Sequence, residues 1–167
     1  MVHIGTPSNP QLDDVRALLR AFIAWHRDRN REDLDLIDRY FDPAAYQAEL
    51  ASLPGSYAPP DGALLLATLD DEPAGCVALH RLDDRTCEMK RMFVHVHLQG
   101  HGIGRALGEA AIDQGRALGY QRMRLDTSFR QHEAQALYRK LGFTVIEPYY
   151  DLPAAVVDWL VFMERRL

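Results

Sequence analysis

Three glycines crowd the stretch Gln99-Gly100-His101-Gly102-Ile103-Gly104-Arg105. Where such a cluster joins a strand to a helix, the bare backbone can approach a ligand closely. Its free N–H groups, at the positive end of the helix dipole, favour an anion such as a pyrophosphate. The same glycines also suit a plain tight turn. Two familiar phosphate-binding patterns fail here. The dinucleotide fingerprint needs glycines at offsets 0, 2 and 5; from Gly100 the third position is Arg105, and from Gly102 it is Leu107. The triphosphate loop needs Gly-Lys-Ser/Thr, which the chain lacks.

Other reactive side chains lie nearby. His95, His97 and His101 suggest a metal site, because residues two apart on a strand share a face. They adjoin a loop suited to phosphates, and no carboxylate or cysteine completes a ligand set, so no metal is expected. Cys87 has no histidine in a motif-like relation to it, so it reads as a buried strand thiol. Cys76 and Cys87 are too few for a disulfide framework or a four-ligand site. With a turn near Asp84 they would not face each other. The run Arg20, His26, Arg27, Arg29 and Arg31 reads as a solvated face or helix end.

The elements that must position these residues follow from pattern. A length of 167 residues predicts one domain, spanning residues 1–167, with room for a sizeable core. Twenty-four acidic against 19 basic side chains leave a net charge of −5, which argues against a nucleic-acid binder. A composition 47% hydrophobic and 26% charged argues against disorder. Apolar runs are far shorter than the roughly 20 residues of a membrane span. Residues 1–5 do not read as a secretory signal, so a cytoplasmic setting with reduced thiols is expected. Val2–Ile4 suits a short strand. Asn9-Pro10 signals a helix start, with apolar residues then recurring at helical spacing from Leu12 to Ile23. A second helical region covers about 31–53, re-initiated at Asp42-Pro43 and stopped by Pro54-Gly55. Residues 63–69, 74–82 and 86–94 read as three strands joined by hairpins. The glycine cluster then opens a helix ended by Gly119. A strand around 122–126 follows, then a helix through Ala134–Leu141, and the segments 144–146 and 156–163 finish the sheet. Strand-helix-strand in the middle requires parallel pairing there. The expected fold is α/β (α+β): one mixed, largely antiparallel central sheet of six to seven strands flanked by about four helices.

The glycine cluster also meets the pattern Gln/Arg-x-x-Gly-x-Gly/Ala, through Gln99, Gly102 and Gly104. Here the chain resembles the GNAT superfamily of acyl-CoA N-acyltransferases. Cys87-Glu88-Met89-Lys90-Arg91-Met92-Phe93-Val94 is similar to that family's central strand. Residues 134–143, Ala-Gln-Ala-Leu-Tyr-Arg-Lys-Leu-Gly-Phe, are similar to its later helix and turn. The likeness covers about residues 63–147, with all three segments in the family's order.

The resemblance implies acetyl-CoA as co-substrate, with no metal. It implies that Gln99, Gly100, His101, Gly102, Ile103, Gly104 and Arg105 supply the pyrophosphate cradle. The main chain of Met92, Phe93 and Val94 would hold the pantetheine arm, with an amide there, that of Val94, polarising the thioester carbonyl. It implies Glu88 as the base that deprotonates an acceptor amine, directly or through water. Tyr138 would contact the cofactor and protonate the departing thiolate. Thr127 and Ser128 are weaker cofactor contacts. One position departs from the family pattern: the Asn common seven residues before this tyrosine is Gln131. The glutamate also reads as a strand residue pairing Lys90 or Arg91, and the tyrosine as core with a polar handle.

The resemblance thus implies an N-acetyltransferase acting directly on a small-molecule, peptide or protein amine, without a covalent enzyme intermediate. The alternative is a non-catalytic acyl-CoA-binding sensor or interaction module. Acceptor residues would come from the first helices and from the connection at 147–153. Trp25, Asp35, Tyr40, Tyr46, Tyr149, Tyr150 and Asp151 are candidates to surround a cationic group. An open sheet edge permits a homodimer.

Overall fold

A computed structural model describes all of residues 1–167. Seven strands form one sheet: β1 (Val2–Gly5), β2 (Ala63–Leu69), β3 (Glu72–Arg81), β4 (Thr86–Val94), β5 (Arg122–Ser128), β6 (Thr144–Ile146) and β7 (Leu160–Arg166). Six helices accompany them: α1 (Leu12–Arg29), α2 (Leu34–Tyr40), α3 (Pro43–Ser52), α4 (Ile103–Ala117), α5 (His132–Lys140) and α6 (Ala154–Trp159). The spatial strand order is β1-β2-β3-β4-β5-β7-β6. Only the β4–β5 pair is parallel, because α4 carries the chain between them.

Sequence and fold agree on the mixed sheet, with two more helices than expected. The difference lies in residues 31–53, which hold two helices in place of one, and in α6, which takes the place of expected strand. Residues 31–53 divide into a single 3-10 turn, α2 and α3. Asp42 caps α3 by accepting from the Ala45 amide, with Pro43 at its first position. The β-branched segment Val156–Trp159, expected as strand, is helical. Val156 and Trp159, three apart on one helix face, bury against Ile37 and Phe162, and the Trp159 indole donates to Asp33. Tertiary packing there overrides β-propensity.

Both faces of the sheet are covered. On β2, Leu65 and Ala67 enter the core beneath α4, whereas Leu64 and Leu66 enter the core beneath α1 and α3. That two-sided burial explains the unbroken apolar run there. Cys76 and Cys87 lie buried in these opposite cores and are unpaired. No helix is long and apolar enough to cross a membrane.

On β4 the alternation breaks. Cys87 and Met89 face the α4 side, yet Phe93, of the same parity, faces the α1 side. The cause is a bulge: Cys76 pairs with Phe93 and Ala78 with Lys90, so two steps on β3 match three on β4. Arg91 supplies the extra residue, with φ +59°. One inserted residue flips which face every later side chain meets.

Candidate active site

The parallel β4–β5 ladder is short. Thr86, Cys87 and Glu88 pair with Arg122, Met123 and Arg124, and the strands part beyond that rung. Between them runs a cleft of about 390 Å³, lined along β4 from Glu88 to Val94 and along β5 from Asp126 to Ser128. Main-chain groups on both lips are therefore available to a bound molecule.

At one end of the cleft lies the glycine cluster. Gly100 and Gly102 adopt φ +83° and +80°, a region costly for side chains with a Cβ. A Cβ at either would meet nothing within 4 Å, so open space lies in front of this ribbon. None of the amides from Gly100 to Arg105 donates to another backbone group. They stand at the N-terminus of the 15-residue α4. A series of unspent donors beside open space, at a helix dipole, fits a diphosphate. The observed geometry therefore suits the group that the resemblance implies.

Side chains in this loop serve the turn more than the cavity. The Gln99 amide donates to the Val94 carbonyl at 3.1 Å, tying the loop to the end of β4. His101 Nδ1 sits 3.2 Å from the carbonyls of Leu98 and Gln99. Ile103 is buried under α4 in the core. Gly100, Gly102, Gly104, Arg105, Met92, Phe93, Val94 and Thr127 line the cleft, as does Tyr138 from α5. Burial, and then the Asp126 carboxylate, push the Tyr138 phenol up, so it stays protonated. Gln131 is buried with its amide 3.3 Å from His26 Nδ1. His26, on α1, is held neutral: burial first, then Arg29, lowers it to about 4.

The other end of the cleft is acidic and aromatic. Glu88, 4% exposed, projects from β4. Its Oε1 lies 2.7 Å from His80 Nε2 and 3.5 Å from Lys90 Nζ, and its Oε2 accepts from the Tyr149 hydroxyl at 2.5 Å. Burial alone would raise its pKa, but His80, Lys90 and Tyr149 together pull it down to about 2. Two steps along β5 from Arg124, the partner of Glu88, stands Asp126. Each of its oxygens accepts one phenol, Tyr40 on Oδ1 and Tyr150 on Oδ2. Burial raises its pKa, against the two phenols.

The sequence alone does not mark Asp126 or His80 as site residues. The signal in hand was only alternation along 122–126, which places Asp126 on a face but does not show what covers it. Of the aromatic and acidic residues suggested for the acceptor, Tyr40, Tyr149 and Tyr150 meet the two carboxylates, and Trp25 lines the cleft. Tyr46 is core, its hydroxyl donating to the Leu19 carbonyl. Asp35 pairs with Arg39 at 3.1 Å on the surface, and Asp151 is exposed.

A model of the acetyltransferase (GNAT) family matches residues 19–143. An uncharacterised N-acetyltransferase of Schizosaccharomyces pombe is 34% identical over 162 residues, covering 95% of this chain and 93% of that protein. A crystal structure of an acetyltransferase from Streptococcus agalactiae superposes with a TM-score of 0.75 at 24% identity, covering 99% of this chain and 98% of that one. The PaiA N-acetyltransferase of Thermoplasma acidophilum, solved with coenzyme A, gives a TM-score of 0.75 at 18% identity, covering 100% of this chain and 99% of that one. At these identities the two structures speak for the fold.

Proposed function

The chain belongs to the GNAT acetyltransferase family, and from that premise we propose that it transfers an acetyl group from acetyl-CoA directly to an amine, with residues 1–167 acting as one domain. The observation that carries the donor assignment is the ribbon Gly100–Arg105, whose backbone amides are unspent at the head of α4, with open space beside Gly100 and Gly102. Those amides bind the pyrophosphate. The parted strands at Met92–Val94 accept the pantetheine arm, and the Val94 amide polarises the thioester carbonyl. Tyr138, lining the same cleft, hands its phenolic proton to the leaving sulfur.

An amine arrives largely as ammonium near neutral pH and must lose a proton before it attacks. The acidic end of the cleft, where Glu88 and Asp126 lie, attracts that ammonium, and a carboxylate there receives its proton. The phenol rings of Tyr40, Tyr149 and Tyr150 and the indole of Trp25 add faces suited to a cation. The proposal includes the cytoplasmic setting expected from the sequence, and it allows a homodimer at an open sheet edge, β1 or β6.

Acetyl-CoA-dependent thiol release across a panel of amines, covering amino acids, polyamines, aminoglycosides and peptides, tests this reading. Release with at least one amine class supports it. Tight acetyl-CoA binding with no release across the panel contradicts it and favours a binding module.

A further inference from the structure

Glu88 and Asp126 share one face of the sheet at the acceptor end of the cleft, but their surroundings differ in kind. The partners of Glu88 include an ammonium, Lys90, beside His80 and the Tyr149 hydroxyl. The partners of Asp126 are two neutral hydroxyls, Tyr40 from α2 and Tyr150 from the 147–153 connection. We propose that Asp126, not Glu88, takes the proton of the acceptor amine, and that Glu88, paired with Lys90, His80 and Tyr149, is a positioning residue. This rests on the acetyl-transfer reading above and assigns its proton acceptor.

Donor chemistry separates the two. A protonated carboxyl needs a neighbour able to accept its new hydrogen. A phenolic hydroxyl rotates from donor to acceptor, so Asp126 can carry a proton without losing its partners. The Tyr149 hydroxyl could turn in the same way for Glu88, but protonating Glu88 would also cost its ion pair with Lys90, whose ammonium has three donors and no acceptor, whereas Asp126 has no cation within ion-pair distance to lose. Burial sharpens the contrast, because uncompensated polar contacts cost most where water is excluded.

Position agrees. Asp126 lies two residues past the last β4–β5 rung and lines the cleft where the two strands have parted. The titratable groups that act on it come from several elements: Lys90 and Glu88 on β4, Tyr40 on α2, Tyr150 on the 147–153 connection and Tyr138 on α5. β7 presents Phe162 opposite it in register. The burial of Asp126 and then the nearby negative Glu88 favour its protonated form, whereas the Tyr150 and Tyr40 hydrogen bonds and Lys90 oppose it, and burial prevails.

The step balances as follows. An N–H bond of the ammonium breaks, its electron pair stays on nitrogen, and the proton passes to an Asp126 oxygen. The freed nitrogen forms a bond to the thioester carbon, and the C–S bond breaks with its pair going to sulfur. Sulfur takes the Tyr138 proton, a second amine proton restores Tyr138, and Asp126 releases its proton to solvent. The products are the acetamide, free coenzyme A thiol and one proton. Glu88 meanwhile fixes Lys90, Tyr149 and His80 around the entrance.

Carboxyl-carbon NMR on the full chain, 13C-labelled at Asp and Glu and saturated with coenzyme A, reads the order of protonation directly. Asp126→Asn and Glu88→Gln supply the assignments. Asp126 is expected to titrate above the ordinary carboxylate value of about 4, and Glu88 to show no midpoint down to pH 3. A Glu88 midpoint above that of Asp126 overturns the assignment. With the amine that gives the fastest thiol release, Asp126→Asn is expected to lower kcat roughly 10²–10⁴-fold and to abolish the acid limb of the pH profile, with the limb restored by Asp126→Glu. Glu88→Gln keeps the acid limb and moves KM more than kcat. The reverse pattern contradicts the proposal. If no amine supports thiol release, the transfer reading fails, while the NMR order still decides between the two carboxyls.

Discussion

Glu49 on α3 grips Arg91 on β4 with both carboxylate oxygens, at 2.8 and 3.0 Å, at the residue where the strand turns left-handed. The Arg91 guanidinium also lies 5.3 Å from the centre of the Phe41 ring and 5.2 Å from that of Tyr46. A non-glycine residue at φ +59° is costly, and the planar fork of arginine allows one side chain to stack and to chelate together. The pair therefore holds the β4 bulge from the helical layer. The bulge in turn sets the face that Phe93 meets, in the stretch from Met92 to Val94 that lines the cleft.

Removing one partner should expose that dependence. Glu49→Gln leaves the Arg91 charge buried without its counter-ion, and Arg91 is 11% exposed against 27% for Glu49. Partial exposure of the glutamate screens the effect, so the expected loss is about 2–3 kcal/mol, below the 3–5 of a fully buried pair. Urea unfolding measures it. The loosened bulge should also raise KM for acetyl-CoA more than it lowers kcat; an unchanged KM would separate the bulge from cofactor placement.

The glycine ribbon gives a cleaner separation of binding from stability. Gly102→Ala meets no atom within 4 Å, so its folding cost is the left-handed backbone alone, roughly 1–2 kcal/mol. Its methyl would intrude on the space facing the amides, and coenzyme A affinity should fall about tenfold or more, roughly 1.4 kcal/mol. Calorimetry reads the affinity and thermal unfolding the stability. Unaltered affinity would place the diphosphate elsewhere.

Tyr138→Phe keeps the ring, which packs against Phe143 at 6.0 Å between centroids, and removes only the hydroxyl. Coenzyme A should bind with unchanged affinity while turnover falls roughly 10²-fold. Equal turnover in both proteins would leave this tyrosine a packing role.

His26 makes stability depend on pH. Burial and Arg29 hold it near 4 in the folded chain, against the 6.5 of an unhindered imidazole. Between those values the unfolded chain binds a proton that the folded chain refuses, so stability falls as pH drops from 6.5 towards 4. The full loss is roughly 3 kcal/mol. Urea midpoints at pH 7 and pH 4.5 should differ by most of it in the parent protein, and by clearly less in His26→Phe.

Much of this arrangement is legible in the sequence, for local reasons. Residues 63–69 and 86–94 carry strand signals bounded by turn residues, and the strands occupy just those spans. Asp42-Pro43 and the glycines at 100–104 act through short-range backbone preference, which one sequence displays. The rest depends on long-range placement. The Arg91 bulge needs Glu49, 42 residues away, to be worth forming. Asp126 becomes distinctive only once register sets it two steps beyond the Glu88 rung and folding brings Tyr40 and Tyr150 onto it, from 86 and 24 residues away. Val156–Trp159 carries β-formers whose helix is decided by contacts with Ile37 and Asp33.

A crystal structure of the chain with coenzyme A is the most direct measurement of whether the head of α4 is the donor site. Diphosphate oxygens should lie about 3 Å from backbone nitrogens between Gly100 and Arg105, with the pantetheine arm between β4 and β5 and its sulfur beside Tyr138. Coenzyme A bound with its diphosphate away from that ribbon, or with the β4–β5 cleft unfilled, would contradict the account.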